Sequence, residues 1–163
     1  MTATYEKIAT TTASGSVSSI TFSTISGSYT DLVLIIQATV ASGGHNQLLR
    51  FNSDTGSNYS VTRVTGNGST ATSSRLSNQS SIQIDTEGYL NQTIANRVIS
   101  IQNYSNTTTY KTLIGRDNNA STGTGAFVGL WRSTSAITSI EVFAGSNYSN
   151  TSTFTLYGIL KEA

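Results

Sequence analysis

The chain contains no cysteine and no proline. Without cysteine, disulfides, thiolate zinc sites and cysteine nucleophiles are all excluded. Without proline, turns fall to Gly, Asn, Asp and Ser, and nothing reads as a stiff linker. Charge is scarce as well. Charged residues fill 10% of the 163 positions, against roughly 25% in an average domain. Nine Lys and Arg stand against eight Asp and Glu, a net charge of +1, and the cations are scattered singly. No basic excess is left to attract phosphates, so nucleic acid is not an expected partner. No stretch approaches 18 apolar residues, and the longest apolar run, LVLII at 32–36, is strand length. A membrane is therefore not an expected partner either. The opening MTATYEKIATTTASG has no apolar core, so no secretory signal is expected.

What fills the space is hydroxyl. Ser and Thr supply about a third of the chain, while hydrophobic residues supply 36%. Low hydrophobicity alone would suggest disorder, but disorder also brings high net charge and few aromatics. Here eight Tyr, five Phe, one Trp and abundant Val, Ile and Thr argue for a folded, sheet-rich chain. The length suits a single domain, 1–163, with a core of its own and with 1–12 as a candidate N-terminal arm able to add to a neighbour's sheet edge.

No window sustains the i, i+3, i+4, i+7 pattern of a helix. Period-2 runs recur instead, separated by turn residues every 8–12 positions, which is the all-β signature. VSSITFSTI (17–25) puts Ile20 and Phe22 on one face. DLVLIIQATV (31–40) is apolar on both faces at first, as a central strand is. QLLRFN (47–52), NYSVTRVT (58–65), SIQIDT (81–86), ANRVISIQNY (95–104), TYKTLIGRD (109–117), GAFVGLWR (125–132), AITSIEVFAG (136–145) and TSTFTLYGILK (151–161) follow. Asn67-Gly68 is a tight-turn signal. The weakly patterned Ser/Thr stretch 69–81 reads as a long loop or an edge segment. The pattern predicts an all-β fold, an antiparallel two-sheet sandwich of jelly-roll type with about nine or ten strands and little or no helix.

Chemistry is thin. His45, the only histidine, sits in SGGHNQ, with no nucleophile or orienting partner in view, and reads as a loop residue. Asp85 and Glu87 would share a strand face and so form a glycosidase-like pair; acids before a glycine are more often turn residues. DNNASTG (117–123) lines up oxygen ligands but lacks the acid density of a calcium loop. GNGSTATSS and TGTGAF miss the spacing and context of phosphate and dinucleotide loops. No catalytic residue, metal site or cofactor is expected. Trp131 reads as a core or subunit-interface plug before it reads as a sugar platform.

The pentapeptide GSNYS occurs at 56–60 and again at 145–149, with QNYSN at 102–106 as a looser copy. Asn58, Asn103 and Asn147 match the N-glycosylation pattern, but such matches arise by chance in an Asn/Ser/Thr-rich chain and glycosylation is not expected. NYSNTTTYKTLIG (103–115) also resembles NYSNTSTFTLYGI (147–159). Both read as turns leading into a strand, with the Tyr anchoring the turn. Tyr59, Tyr148, Tyr104 and Trp131 are the candidate contacts with a neighbouring subunit.

YEKIATTT, ITFSTI, YTDLVL, LRFNSDTGSNYS, GLWRSTSAITSI and FTLYGIL, in this order over 5–160, resemble a family of small virion structural proteins of tailed bacteriophages. The resemblance implies a jelly-roll-like module that assembles as a homo-oligomer, a homotrimer foremost. It implies a virion location, on the capsid surface before the tail. It also implies a role as a capsid decoration protein bound to the major capsid protein or another virion protein, or alternatively as a tail-fibre module contacting host glycans. The chain departs from the family where a proline is expected after the first strand, at Ser26 or Gly27.

Overall fold

The computed structural model describes residues 4–85 and 90–160. Among them there is no helix. Twelve strands are present: β1 (Tyr5–Thr12), β2 (Ser19–Phe22), β3 (Asp31–Ala38), β4 (Gln47–Phe51), β5 (Tyr59–Gly66), β6 (Ala71–Gln79), β7 (Ile82–Gln83), β8 (Ala95–Gln102), β9 (Lys111–Asn119), β10 (Gly123–Trp131), β11 (Ile140–Ala144) and β12 (Thr153–Ile159). They form two antiparallel sheets, so the expected two-sheet sandwich is the observed one, with twelve strands in place of nine or ten.

Eight of the strands trace a jelly roll. One sheet contains the run β1-β12-β3-β8 and the other is β2-β11-β4-β7. The chain alternates between the sheets at each step through these eight strands except from β4 to β7, the double Greek key of that fold. Two hairpins are set into this frame. β5–β6 follows β4 and β9–β10 follows β8, and both extend the first sheet beyond β8 in the order β9-β10-β5-β6. The result is lopsided, with eight strands packed against four.

The core lies between the sheets. Leu32, Leu34 and Ile36 of β3, Ile99 and Ile101 of β8, and Phe154 and Leu156 of β12 face Ile20, Phe22, Leu49, Phe51, Ile140 and Val142 of the smaller sheet. Each large aliphatic or aromatic side chain so buried contributes about 1.5–3 kcal/mol. β3 is interior to its sheet, as its two-sided apolar pattern predicts. Ile82 of β7 packs against the inner side of the hairpin extension, where Gly129 leaves it room.

Two expectations are sharpened. The stretch 69–81 contains an edge strand, β6, whose residues are exposed or half-buried throughout; burial could not pattern its sequence. The N-terminal arm is an edge strand of its own sheet: β1 pairs with β12 in register from Tyr5↔Ile159 to Thr12↔Thr153, with a bulge between Lys7 and Ala9. Residues 1–3 of that arm lie outside the described residues. At the turn around Ser26 and Gly27, which has no proline, the Tyr104 hydroxyl donates to the carbonyl of Ser26 and accepts from the Tyr29 amide at 3.3 Å, so a tyrosine fixes this turn.

Candidate docking surface

The four aromatic residues singled out from the sequence are inside the chain. Tyr59, Tyr104 and Tyr148 are 0% exposed and Trp131 is 2% exposed, so none has surface left to offer a neighbouring subunit. Their role as interface contacts is corrected to one of pinning connectors. The Tyr59 hydroxyl accepts from the Phe51 amide at 3.1 Å and lies 3.2 Å from the Phe51 and Asp54 carbonyls. The Tyr148 hydroxyl accepts from Gln47 Nε2 at 3.0 Å. Burial raises the Tyr59 hydroxyl to about 12 and pushes the Tyr148 hydroxyl up as well, so both stay neutral donors. Trp131 stacks on Tyr59 with ring centroids 6.2 Å apart and donates through Nε1 to Asp54 at 2.7 Å. Both full GSNYS copies carry the chain from the four-stranded sheet to the eight-stranded one, β4 to β5 and β11 to β12.

The catalytic and metal readings fare no better. His45 pairs its backbone with Leu90 in an isolated bridge, and its ring lies against Gly43 and Gly145. Glu87 lies outside the described residues. Asp85 is 1% exposed, accepts from the Gln47 amide at 3.0 Å, and faces the interior, where no substrate reaches it. In DNNASTG, Asp117 points into the core and Asn118 to the opposite face, so the two do not converge on a cation. Asn119 closes the β9–β10 turn instead, accepting from the Ser121 amide at 2.9 Å. Among the described residues no group of three potential metal ligands forms.

Asp85 belongs to a buried polar cluster with Arg97, Asp117, Gln47 and Tyr148. Burial raises the Asp85 carboxyl to about 6, against the opposing pull of the Arg97 guanidinium. Arg97 donates through Nε to the Ile84 carbonyl at 3.1 Å and remains charged. The cluster ties β4, β8, β9 and the segment after β7 together; it is enclosed structure.

The outward-facing side of the eight-stranded sheet is different. Strand register assembles rows across it that the sequence does not show. One row runs Lys7, Tyr157, Val33, Ser100, Ile114, Val128, Thr62, Arg75, and the next runs Thr10, Thr155, Ile35, Val98, Arg116, Ala126, Val64, Ser73. Val64, Ile114, Val128 and Ile35 are 56%, 52%, 50% and 42% exposed. Val64, Ile114 and Val128 line a shallow depression of about 200 Å³, and a second of about 390 Å³ shares Ile114 and Ala126 with it. In β9 the usual rule is inverted: Lys111, Asp117 and Asn119 point inward while Ile114 points out.

The two outer faces contrast in charge. On the small sheet, Arg50 pairs with Glu141 at 3.1 Å and lies over the Phe143 ring at 4.6 Å. On the large sheet, Arg75 and Arg116 have no hydrogen-bond or ion-pair partner among the described residues. From β8 to β6 the outward positions carry these two cations and no carboxylate. Arg116 sits directly between Val98 and Ala126. Exposed apolar patches of this kind are typical of interaction surfaces. Sequence reasoning passed over Ile35, Val64, Ile114, Arg116 and Val128 because alternation does not say which side of a sheet stays bare. No protein-family model, curated protein or solved structure matches the chain.

Proposed function

We propose that this chain is a virion structural protein of a tailed bacteriophage, a capsid decoration protein that binds the assembled shell as a homo-oligomer and stabilises it. The observation that carries the reading is the outer face of the eight-stranded sheet, an apolar and cationic surface that nothing among the described residues covers. The rest of the molecule supports it. The surface is neutral and hydroxyl-rich, the titratable cluster is sealed, and the fold is a rigid double sheet. Such a module acts by shape and mass action: whatever binds the assembled shell and not its dissociated subunits stabilises the shell. Self-association is supported by β6, a nine-residue edge strand with exposed or half-buried side chains and no further strand paired beyond it among the described residues. A symmetric oligomer multiplies a weak face contact into avidity.

A second reading, a tail-fibre module contacting host glycans, draws on one feature. The β5–β6 and β9–β10 turns flank a polar cleft of about 430 Å³ lined by Asn67, Asn118, Asn119, Ser121 and Thr122. Its amides and hydroxyls suit sugar hydroxyls, but no aromatic ring lines it. Quantitative mass spectrometry of purified virions separates the two readings. Hundreds of copies per particle is the expected result; a handful per particle overturns decoration, and glycan-array binding would then favour the fibre.

A further inference from the structure

We propose that the surface met by the outer face is an anionic and aliphatic protein surface, with a carboxylate seated against Arg116. This deepens the shell-binding reading above and rests on it. Arg116 has aliphatic neighbours, Val98 and Ala126, directly across both adjacent strands. Its guanidinium has no hydrogen-bond or ion-pair partner among the described residues. Docking an apolar surface onto this face strips water from Arg116. That desolvation is costly unless the partner supplies a carboxylate, which a guanidinium engages in two parallel hydrogen bonds. Arg75, at the β6 end of the row through Ile114 and Val128, adds a second cation.

A second copy does not fit as the occupant. The same face on a partner copy carries Lys7, Arg75 and Arg116 against Asp31 alone, and the Asp31 carboxylate already accepts from the Asn103 amide at 2.7 Å. Two such faces bring like charges together across an apolar patch. Nucleic acid does not fit either, because a duplex is met by many cations and this face has few. The area is sufficient for a protein partner. Eight strands at about 4.8 Å each, along the seven residues of β12, make a face of roughly 870 Å², and a standard interface takes about 800 Å² from each side.

The test is a titration of fluorescently labelled chain against capsids of the parent phage, washed free of the native copy. Wild type is expected to bind, and to weaken progressively as salt is raised. Arg116→Ala is expected to weaken binding about tenfold and Arg116→Glu about 100-fold, with Arg116→Lys in between wild type and Ala. Val128→Glu is expected to weaken it comparably, and all variants should melt with wild type because both positions are exposed. Tight wild-type binding with Arg116→Glu unchanged overturns this inference alone. Wild type that fails to bind the capsids overturns the shell reading and this inference with it. Equal Arg116-dependent binding to a short duplex DNA overturns the protein partner in favour of a phosphate one.

Discussion

Gly115→Ala tests whether the hairpin extension is packed as described. Gly115 of β9 stands directly across from Phe127 of β10. A Cβ built on Gly115 meets Phe127 Cζ at 2.2 Å, Cε2 at 2.7 Å and Cε1 at 2.8 Å. Ordinary carbon contacts lie at about 3.5–4.0 Å, so the ring must withdraw by more than about 1 Å. Phe127 is 2% exposed, and close-packed interiors hold no void to receive it. Overpacking of this kind costs about 1–3 kcal/mol, and the strand preference for Ala over Gly offsets about 0.5 kcal/mol. The expected net loss is about 1.5 kcal/mol, a fall in Tm of roughly 3–6 °C for a chain of this length. Thermal and urea unfolding followed by circular dichroism read it. The double variant with Phe127→Leu removes the ring, so in that background Gly115→Ala should cost nothing, a coupling above about 1 kcal/mol. A Gly115→Ala chain as stable as wild type refutes the packing argument.

Burial pushes the Asp85 carboxyl up to about 6, well above the ordinary carboxylate range, so the folded chain holds that proton more tightly. Its stabilising contribution, up to about 3 kcal/mol, is complete below the unfolded value and lost as pH rises through 6. Urea midpoints at pH 4.5 and 7.5 should therefore favour the acid side in wild type relative to Asp85→Asn; parallel pH profiles for the two chains refute this. Asp54 has the opposite sign: burial works to raise it, but bonds from Trp131, Asn58 and Gly56 hold it low, so its contribution is lost only as pH falls through its depressed folded value. Asn52→Ala removes acceptance from the Thr138 and Ser139 amides and donation to the Ala136 carbonyl, and should cost about 2 kcal/mol in urea unfolding. Asn52→Gly tolerates the positive φ of 51° yet loses the same bonds, so its stability should fall too. Tyr148→Phe deprives buried Gln47 Nε2 of its acceptor and should cost about 1–3 kcal/mol while sedimentation leaves the oligomeric state unchanged. A changed oligomer would return that tyrosine to an interface.

Much of the fold was legible because burial and alternation coincide in most strands. β8 reads Ala95, Arg97, Ile99 and Ile101 inward with Asn96, Val98 and Ser100 outward, and β12 alternates as cleanly. β6 was only partly legible, since a strand exposed on both faces has no hydrophobic period to show. The tyrosines were visible as turn anchors, but their burial was not: Asn-Tyr-Ser looks like surface text until the hydroxyls find the carbonyls and amides of distant strands. The docking face was illegible for a topological reason. Ile114 and Val128 are apolar letters within strand segments, and nothing in the sequence says which side of the sheet they face. They are surface because strand alternation turns them to the outer side of the eight-stranded sheet, which no layer among the described residues covers. Arg116 gains meaning only once register sets it between Val98 and Ala126.

The most direct test of the central claim is a cryo-electron microscopy reconstruction of the intact particle. The chain is expected in many copies on the shell, with Val64, Ile114, Arg116 and Val128 turned toward the capsid and a carboxylate of the capsid protein against Arg116. Density in which that face looks out to solvent, or in which the chain appears only at the tail, contradicts the claim.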